Sequence, residues 1–585
     1  MGIEGLTNFL RNENQIVPID IRREVNKWKR THRGQEPILV MDFLSVSNGI
    51  VGQFKDQFVY GGRHRHIQEY LKSLLLKFLQ IGCRLVFFSD YNIQVGKQGE
   101  WLRRRNLEFK KCTDLYDWIG DGKTPEEMCK MPRIYRLALK SLCYEMELIA
   151  QIFGEMNYTI KHECDLEILR YAKQNNAMAI VSCDTDFLMF DGSWRLWSSD
   201  DIKIKSGNLV TCEYNKTAIE TICSLTKKQL PLLATLIGND FTKAHRNSLN
   251  AFHRTLGEPE DKVKNVARFI RQLDRNELTD IDIAEIFGNA FDEIRVLIEK
   301  SLESYKIDDD STAIITDPIA MKLLGTLSYP AYMTIMGPIH GINMNFYDMR
   351  GCGEGVSLSK LSIGWLQRKI GLLRKQNNDE SFTFTLLAKK SLDEDYAASE
   401  EKPIYPEFSV PPLDDLYLNN TDLDIIEFRY KILGWIMGIP DEIIRELKHL
   451  RKFSAKRATL YVLVKNGLID VCEADCILYT EVRSLEDSRK RVKYPTKINP
   501  NHIRVAQIYN ISFTNVRQNF EIAGLLPLRH FERTDIGMAE IVSQFDGIYF
   551  QNLMEKVTHM NHNERDEFFS LIKNYRIYAD DQAFC

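Results

Sequence analysis

The sequence predicts an α/β fold: a parallel sheet flanked by helices over residues 1–245, followed by a mainly α-helical C-terminal region. Two observations carry this. Short apolar runs, each ending near an acidic residue, alternate with segments of helical periodicity, the rhythm of strands joined by crossover helices. From about residue 245 the strand-like runs give way to helical spacing.

The elements follow in order. Ile38-Leu39-Val40-Met41 is a buried strand ending at Asp42. Residues 66–81 place Ile67, Tyr70, Leu71, Leu74, Leu75 and Phe78 at the i, i+3, i+4 spacing of a helix. Leu85-Val86-Phe87-Phe88 is the next strand, ending at Asp90, and a basic insertion occupies about 92–140. Residues 137–153 read as a helix, Tyr158-Thr159-Ile160 as a short strand before Glu163, and a further helix runs to about Lys173. Ala179-Ile180-Val181-Ser182 then leads into Asp184. Beyond this first domain, 246–374 is a mainly helical extension. The charged, proline-containing stretch 375–415 reads as a linker or long loop, and 416–585 as a mainly helical C-terminal domain.

Composition narrows the class. At 44% hydrophobic and 27% charged residues, the 585-residue chain is ordinary globular material rather than a disordered one. The net charge of −4 argues against a protein held to nucleic acid by bulk positive charge. Between residues 97 and 111, however, six basic residues face two acidic ones, a local patch suited to phosphate. No apolar run approaches the roughly 18–20 residues of a membrane span. The 12 scattered cysteines fit free thiols in a reducing compartment, and Cys472 and Cys476 have no second pair with which to hold zinc.

In parallel α/β sheets, ligands bind outside the carboxyl ends of the strands. There the sequence places Asp42, Asp90, Glu163, Asp165, Asp184 and Asp186, with Asp240 following in Gly-Asn-Asp. Carboxylates are hard ligands suited to Mg²⁺ or Mn²⁺. Crowded without a cation they repel one another. Two divalent ions about 3.5–4 Å apart would relieve that repulsion and form a phosphodiester-cleaving site. Any one of these acids is as readily a turn or helix cap; their joint placement makes the case.

Met1-Gly2-Ile3-Glu4-Gly5-Leu6, the Asp42 strand, Asp90, Glu163-Cys-Asp165, Asp184-Thr-Asp186-Phe187 and Gly238-Asn239-Asp240 resemble, in that order, the flap endonuclease/XPG superfamily of PIN-like nucleases. Tyr60-Gly61-Gly62, the Ser182-to-Phe187 run with Phe190-Asp191, and Pro231-Leu232-Leu233-Ala234 are similar to the Asteroid branch. There is also likeness to the constitutive coactivators of PPAR-gamma, whose members lack several of the acids and are regarded as RNA-binding scaffolds.

The resemblance implies a nuclease domain over 1–245 with an arch-like insertion at 92–140. All seven acids would be catalytic ligands of two Mg²⁺ or Mn²⁺ ions. Lys97 and Arg104, seven and fourteen residues after Asp90, would be arch cations beside the scissile phosphate; that spacing keeps them on one helical face. Gly2, Lys97, Arg103, Arg104 and Arg105 would contact nucleic acid, while Trp101 reads as an arch-packing aromatic. The implied activity is structure-selective hydrolysis of single-stranded or branched DNA, with RNA the alternative substrate. The implied location is the nucleus, with the cytoplasm as alternative, and Arg489-Lys490-Arg491-Val492-Lys493 is a basic run of the import type. Protein partners would use the C-terminal half, and no membrane is involved. The sequence departs from the family after Asp240, where Phe-Thr-Lys-Ala-His-Arg-Asn replaces the glycine pattern of a duplex-gripping helix–two-turn–helix. The alternative function is a catalytically silent nuclease-fold scaffold for RNA or protein.

Overall fold

The computed structural model describes residues 2–90, 93, 98–130, 139–159, 163–242, 245–258, 261–273, 278–287, 291–307, 339–342, 358–374, 381–418, 422–483, 493–495, 497–526 and 541–579. The chain forms two compact units, Met1–Ile50 with Lys72–Asp90 and Phe153–Ala313, and Val51–Leu71 with Tyr91–Ile152 and Ile314–Cys585.

The first unit is built on an eight-stranded sheet: β1 (Ile16–Asp20), β2 (Ile38–Asp42), β3 (Arg84–Asp90), β4 (Glu155–Thr159), β5 (Ala179–Val181), β6 (Arg195–Trp197), β7 (Lys203–Lys205) and β8 (Asn208–Tyr214). Its order is β1-β8-β6-β5-β2-β3-β4, with β7 on β8. The run from β6 to β4 is parallel, with Met41 opposite Phe87 and Val181, so the ends of β2, β3, β4 and β5 share one edge. β1 and β7 pair antiparallel with β8. Continuous apolar runs suit central parallel strands covered on both faces, and Leu39, Val40, Met41, Ala179, Ile180 and Val181 are fully buried. The helix Cys164–Gln174 covers the sheet with Ile168 and Leu169, and the buried, apolar Leu230–Ile237 joins the same core. Three further helices, Lys262–Gln272, Asp280–Phe287 and Phe291–Glu303, complete the unit as their periodicity predicts.

The second unit is mainly helical around Pro500–Ile522, a 23-residue helix buried along most of its length. The equally long Gln98–Gly120 belongs here. Its second half packs Cys112, Leu115, Tyr116 and Ile119 with Val59, Tyr60, Ile503 and Ile548. Residues 51–71 and 91–152, read from sequence as parts of the first domain, thus fall in this unit. Two strands lie within the described part of the expected linker, residues 381–415. β9 (Ile339–Gly341), β10 (Phe384–Ala388) and β11 (Ala397–Glu401) form a small sheet in the order β11-β10-β9. Phe384, Leu386 and Leu387 of β10 are buried, so a short core strand hid among charged neighbours. Eight cysteines are free among the described residues, while Cys472 is disulfide-bonded rather than a free thiol. No described helix is long and apolar enough to cross a membrane.

Candidate functional site

All seven predicted acids lie in the first unit. Asp42 and Asp90 are the last residues of β2 and β3. Glu163 is the N-cap of the helix Cys164–Gln174 after β4, and Asp165 sits in that helix's first turn. Asp184 follows β5 as the N-cap of a 3₁₀ turn, Thr185–Leu188, whose first turn holds Asp186. Asp240 comes after the helix Leu230–Ile237.

Both oxygens of the Asp42 carboxylate accept from the protein. One oxygen accepts from the Ser45 backbone N–H at 3.2 Å and the other from the Ser182 hydroxyl at 2.8 Å. Burial pushes its pKa up to about 6, against those two hydrogen bonds and with the added charge of Asp184. The Ser182 hydroxyl also accepts from the Asp184 backbone at 3.0 Å, joining the ends of β2 and β5. Ser45 continues the network, accepting from the Cys183 N–H at 2.9 Å and meeting Ser199 Oγ at 2.7 Å. Burial raises the Cys164 thiol well above its usual range, and the charges of Asp42, Asp90 and Asp165 raise it further. Those three acids therefore share one field.

The other side of the set is closed by Tyr305, which no motif announced, and by Asn239 of Gly238-Asn239-Asp240. Asp184 accepts from the Asp186 N–H at 3.0 Å, in the manner of a helix cap. Asp186 in turn accepts from the Tyr305 hydroxyl at 2.8 Å. Tyr305 receives Asn239 Nδ2 at 3.3 Å, and Asn239 also donates to Ser301 at 2.6 Å. Burial and the neighbouring Asp186 charge keep the Tyr305 hydroxyl protonated, its pKa well above the usual value. Gly2 lies against the same turn. At φ +88°, a Cβ on it would stand 2.5 Å from Asp184 Oδ1 and 2.7 Å from Thr185 Oγ1. The Ile3 N–H donates to Thr185 Oγ1 at 3.1 Å. Gly2, expected beside nucleic acid, is thus packed on the Asp184 turn.

Among the described residues, no three His, Cys, Asp or Glu side chains are grouped so as to hold a metal ion. The two-ion site that the resemblance implies would need such a grouping. At Asp42 each carboxylate oxygen accepts one protein hydrogen bond, and at Asp184 and Asp186 the Oδ1 oxygen does.

The predicted cations lie in the second unit. Lys97 falls outside the described residues, as does the basic run from Arg489 to Val492. On the helix Gln98–Gly120, Glu100 accepts from Arg103 at 2.6 and 2.8 Å and from Arg104 at 2.6 Å. Those arginines, Arg103 first, hold the Glu100 carboxyl below its usual range. Arg105 pairs with Glu108 at 2.8 Å. The patch is therefore partly self-neutralised, though the exposed Arg103 pairs with Glu100 weakly enough for phosphate to displace it. Trp101 packs edge-on against Tyr396 at 5.9 Å, the packing role expected of it.

Ser182 and Asn239 stand within the Ser182-to-Phe187 run and Gly238-Asn239-Asp240, whereas Ser45 and Tyr305 lie outside every motif. Serines beside an acid are too common to signal anything. Tyr305 stands 119 positions from the acid that it meets.

Comparison with solved structures returns the catalytic core of Rad2 in complex with DNA substrate, at 14% identity, covering 57% of this chain and 93% of that one with a TM-score of 0.28. A second Rad2 catalytic core matches at 16% identity, 54% and 83% coverage and a TM-score of 0.25. Likeness at that level bears on neither site nor activity. By sequence, 254 residues are 26% identical to the Constitutive coactivator of peroxisome proliferator-activated receptor gamma of Mus musculus, covering 41% of this chain and 30% of that protein. The Constitutive coactivator of PPAR-gamma-like protein 1 homolog of Xenopus tropicalis is 21% identical over 282 residues, 47% of this chain and 26% of the relative. The chain spans less than a third of the length of either. The relatives are thus coactivators, not the Asteroid proteins that the short motifs pointed to. Those motifs are runs of three to six residues, whereas these alignments run over more than 250 residues. Residues 223–309 match the FAM120A-like domain, and that stretch contains both Asn239 and Tyr305.

Proposed function

We propose that this chain is a nuclease-fold binding scaffold, which holds nucleic acid and protein partners without metal-dependent hydrolysis. The Tyr305 hydroxyl on Asp186 is the observation that carries the reading. A metal-holding carboxylate turns its oxygens to the ion; here a protonated, buried phenol donates to one of them. The double engagement of Asp42 points the same way. The relatives, named as coactivators, support protein partners and a nuclear location. RNA is the nucleic acid favoured by the resemblance to those coactivators, and the exposed side of Arg103 and Arg104 is its contact.

The test is the purified chain with Mg²⁺ or Mn²⁺ on single-stranded, flap, overhang and hairpin substrates in DNA and RNA. Binding without cutting is expected. A metal site confined to the native state would add about 2.7 kcal/mol of stability at a hundred times its Kd, so the melting temperature in Mg²⁺ or Mn²⁺ should match that in EDTA. Cleavage that disappears in Asp184→Ala or Asp186→Ala protein would instead establish the second reading, a two-metal nuclease. The common field of Asp42, Asp90 and Asp165 at Cys164 favours that alternative.

A further inference from the structure

At the opposite end of the first unit's sheet lies a cavity of about 1000 Å³ that none of the seven acids lines. It opens between the helix Ile21–Thr31, β1 and the start of β6. Arg195, the first residue of β6, pairs with Ala179, the first of β5, whose far end leads to Asp184. The cavity and the acids therefore occupy opposite ends of the same strands.

Its lining holds five cations, Arg23, Lys27, Arg30, Arg195 and Lys216, against three carboxylates. Two of those carboxylates are spent inside the wall. Glu213 takes both arms of Arg195, and Glu24 is divided between Arg195 at 2.8 Å and Lys27 at 2.7 Å. The third, Asp20, caps the helix by accepting from the Arg23 backbone N–H at 3.0 Å. Arg23, Arg30 and Lys216 are left without a carboxylate partner among the described residues. Arg23 and Arg30, seven apart on one helix, share a face. Lys216 is already held in place: its ammonium lies 4.1 Å over the Trp194 ring and donates to the Gly192 carbonyl at 2.7 Å. Burial brings its pKa down to about 8, and a bound anion would offset that cost. Trp194, only 2% exposed, lines the cavity with its indole Nε1 buried and unpartnered.

We infer that this cavity is a binding site for a small anion carrying several phosphate groups, gripped by Arg23, Arg30 and Lys216. Arginine forks match phosphate oxygens in pairs. The volume exceeds what one phosphate fills and lies in the range of small-molecule pockets, roughly 300–1000 Å³. A nucleic-acid strand is disfavoured, because the ring that could stack on a base is buried under Lys216. The same phosphate chemistry occurs on soluble polyphosphorylated molecules and on phosphoinositide headgroups.

Calorimetric titration of the full chain with inositol hexakisphosphate and with inorganic tripolyphosphate tests the site. One-to-one binding is expected, weakened at least about tenfold in the Arg23→Ala/Arg30→Ala double variant, as expected for lost charge-assisted hydrogen bonds. Both substitutions are on exposed positions and leave the core intact. The Arg103→Ala/Arg104→Ala protein should bind as the parent does. Flotation with phosphoinositide-containing vesicles separates the sources: capture lost in Arg23→Ala/Arg30→Ala marks a headgroup site, and titration without capture marks a soluble ligand. No binding, binding unchanged in the double variant, or a single-stranded oligonucleotide competing through Arg23 and Arg30 would overturn the inference. None of these outcomes depends on whether the acids at the other end cut nucleic acid.

Discussion

The Tyr305 hydroxyl donates to Asp186 Oδ1 at 2.8 Å, tying the turn that follows the helix Phe291–Glu303 to the turn after β5. The phenol is nearly fully enclosed, so this bond is made in a low-dielectric setting where an unmet partner is costly. Tyr305→Phe removes the donor to Asp186 and the acceptor of Asn239 while keeping the ring. The variant should lose about 1–3 kcal/mol of unfolding free energy, measured by urea denaturation. It should still not cleave nucleic acid in Mn²⁺. A gain of cutting would mean that the tyrosine masks a working metal site.

Gly2 is a packing residue in this structure. Its φ of +88° and the 2.9 Å approach that a Cβ would make to the Thr185 backbone leave no room for a side chain. Gly2→Ala should therefore destabilise the first unit by about 1–3 kcal/mol, seen as a lower melting temperature without any nucleic acid present. If the variant melts with the parent and loses only nucleic-acid affinity, Gly2 is a contact residue instead.

Lys369, only 5% exposed within the helix Leu358–Arg374, is a buried cation whose pKa is brought down from 10.5 to about 8 by burial. A depressed lysine stabilises the fold only where it is neutral in both states. That stability is present above pH 10.5 and is lost as the pH falls to 8. Below pH 8 the full cost of charging, up to about 3 kcal/mol, bears on the fold. Lys369→Met should accordingly be more stable than the parent at pH 7, with the difference shrinking toward pH 10. An equal gain at both values would assign it to packing alone.

If the helix Gln98–Gly120 contacts a phosphate backbone, Arg103→Ala/Arg104→Ala should weaken RNA binding across sequences alike. The slope of log affinity against log salt should fall by about 2. A change of sequence preference with an unchanged slope would place base recognition there instead. Freeing Glu100 in this variant adds a carboxylate that repels phosphate, so Arg103→Ala/Arg104→Ala/Glu100→Gln separates the two contributions.

The sheet was legible because apolar strands ending in acids and helices of regular period leave patterns within a few residues. Val40 and Val86 each sit in such a run, and both are fully buried in neighbouring strands. The small sheet of the second unit was not legible. Phe384 to Ala388 has only five residues, its charged flanks imitate a linker, and its partners lie in separate segments. The allocation of Val59 and Tyr60 was hidden for the same reason, since their core companions Ile503 and Ile548 lie more than 400 positions away.

For the candidate site, the sequence alone determined which acids stand at the carboxyl edge, because the strand register puts Asp42, Asp90 and Asp184 there wherever the helices go. Only the tertiary structure decided what those acids face. Whether a carboxylate meets a cation or a phenol depends on side chains brought in from distant segments, and Tyr305 and Ser182 arrive by packing rather than by spacing. A pattern of acids specifies charge and position, while their ligand is set by the atoms that fill the remaining directions around each oxygen.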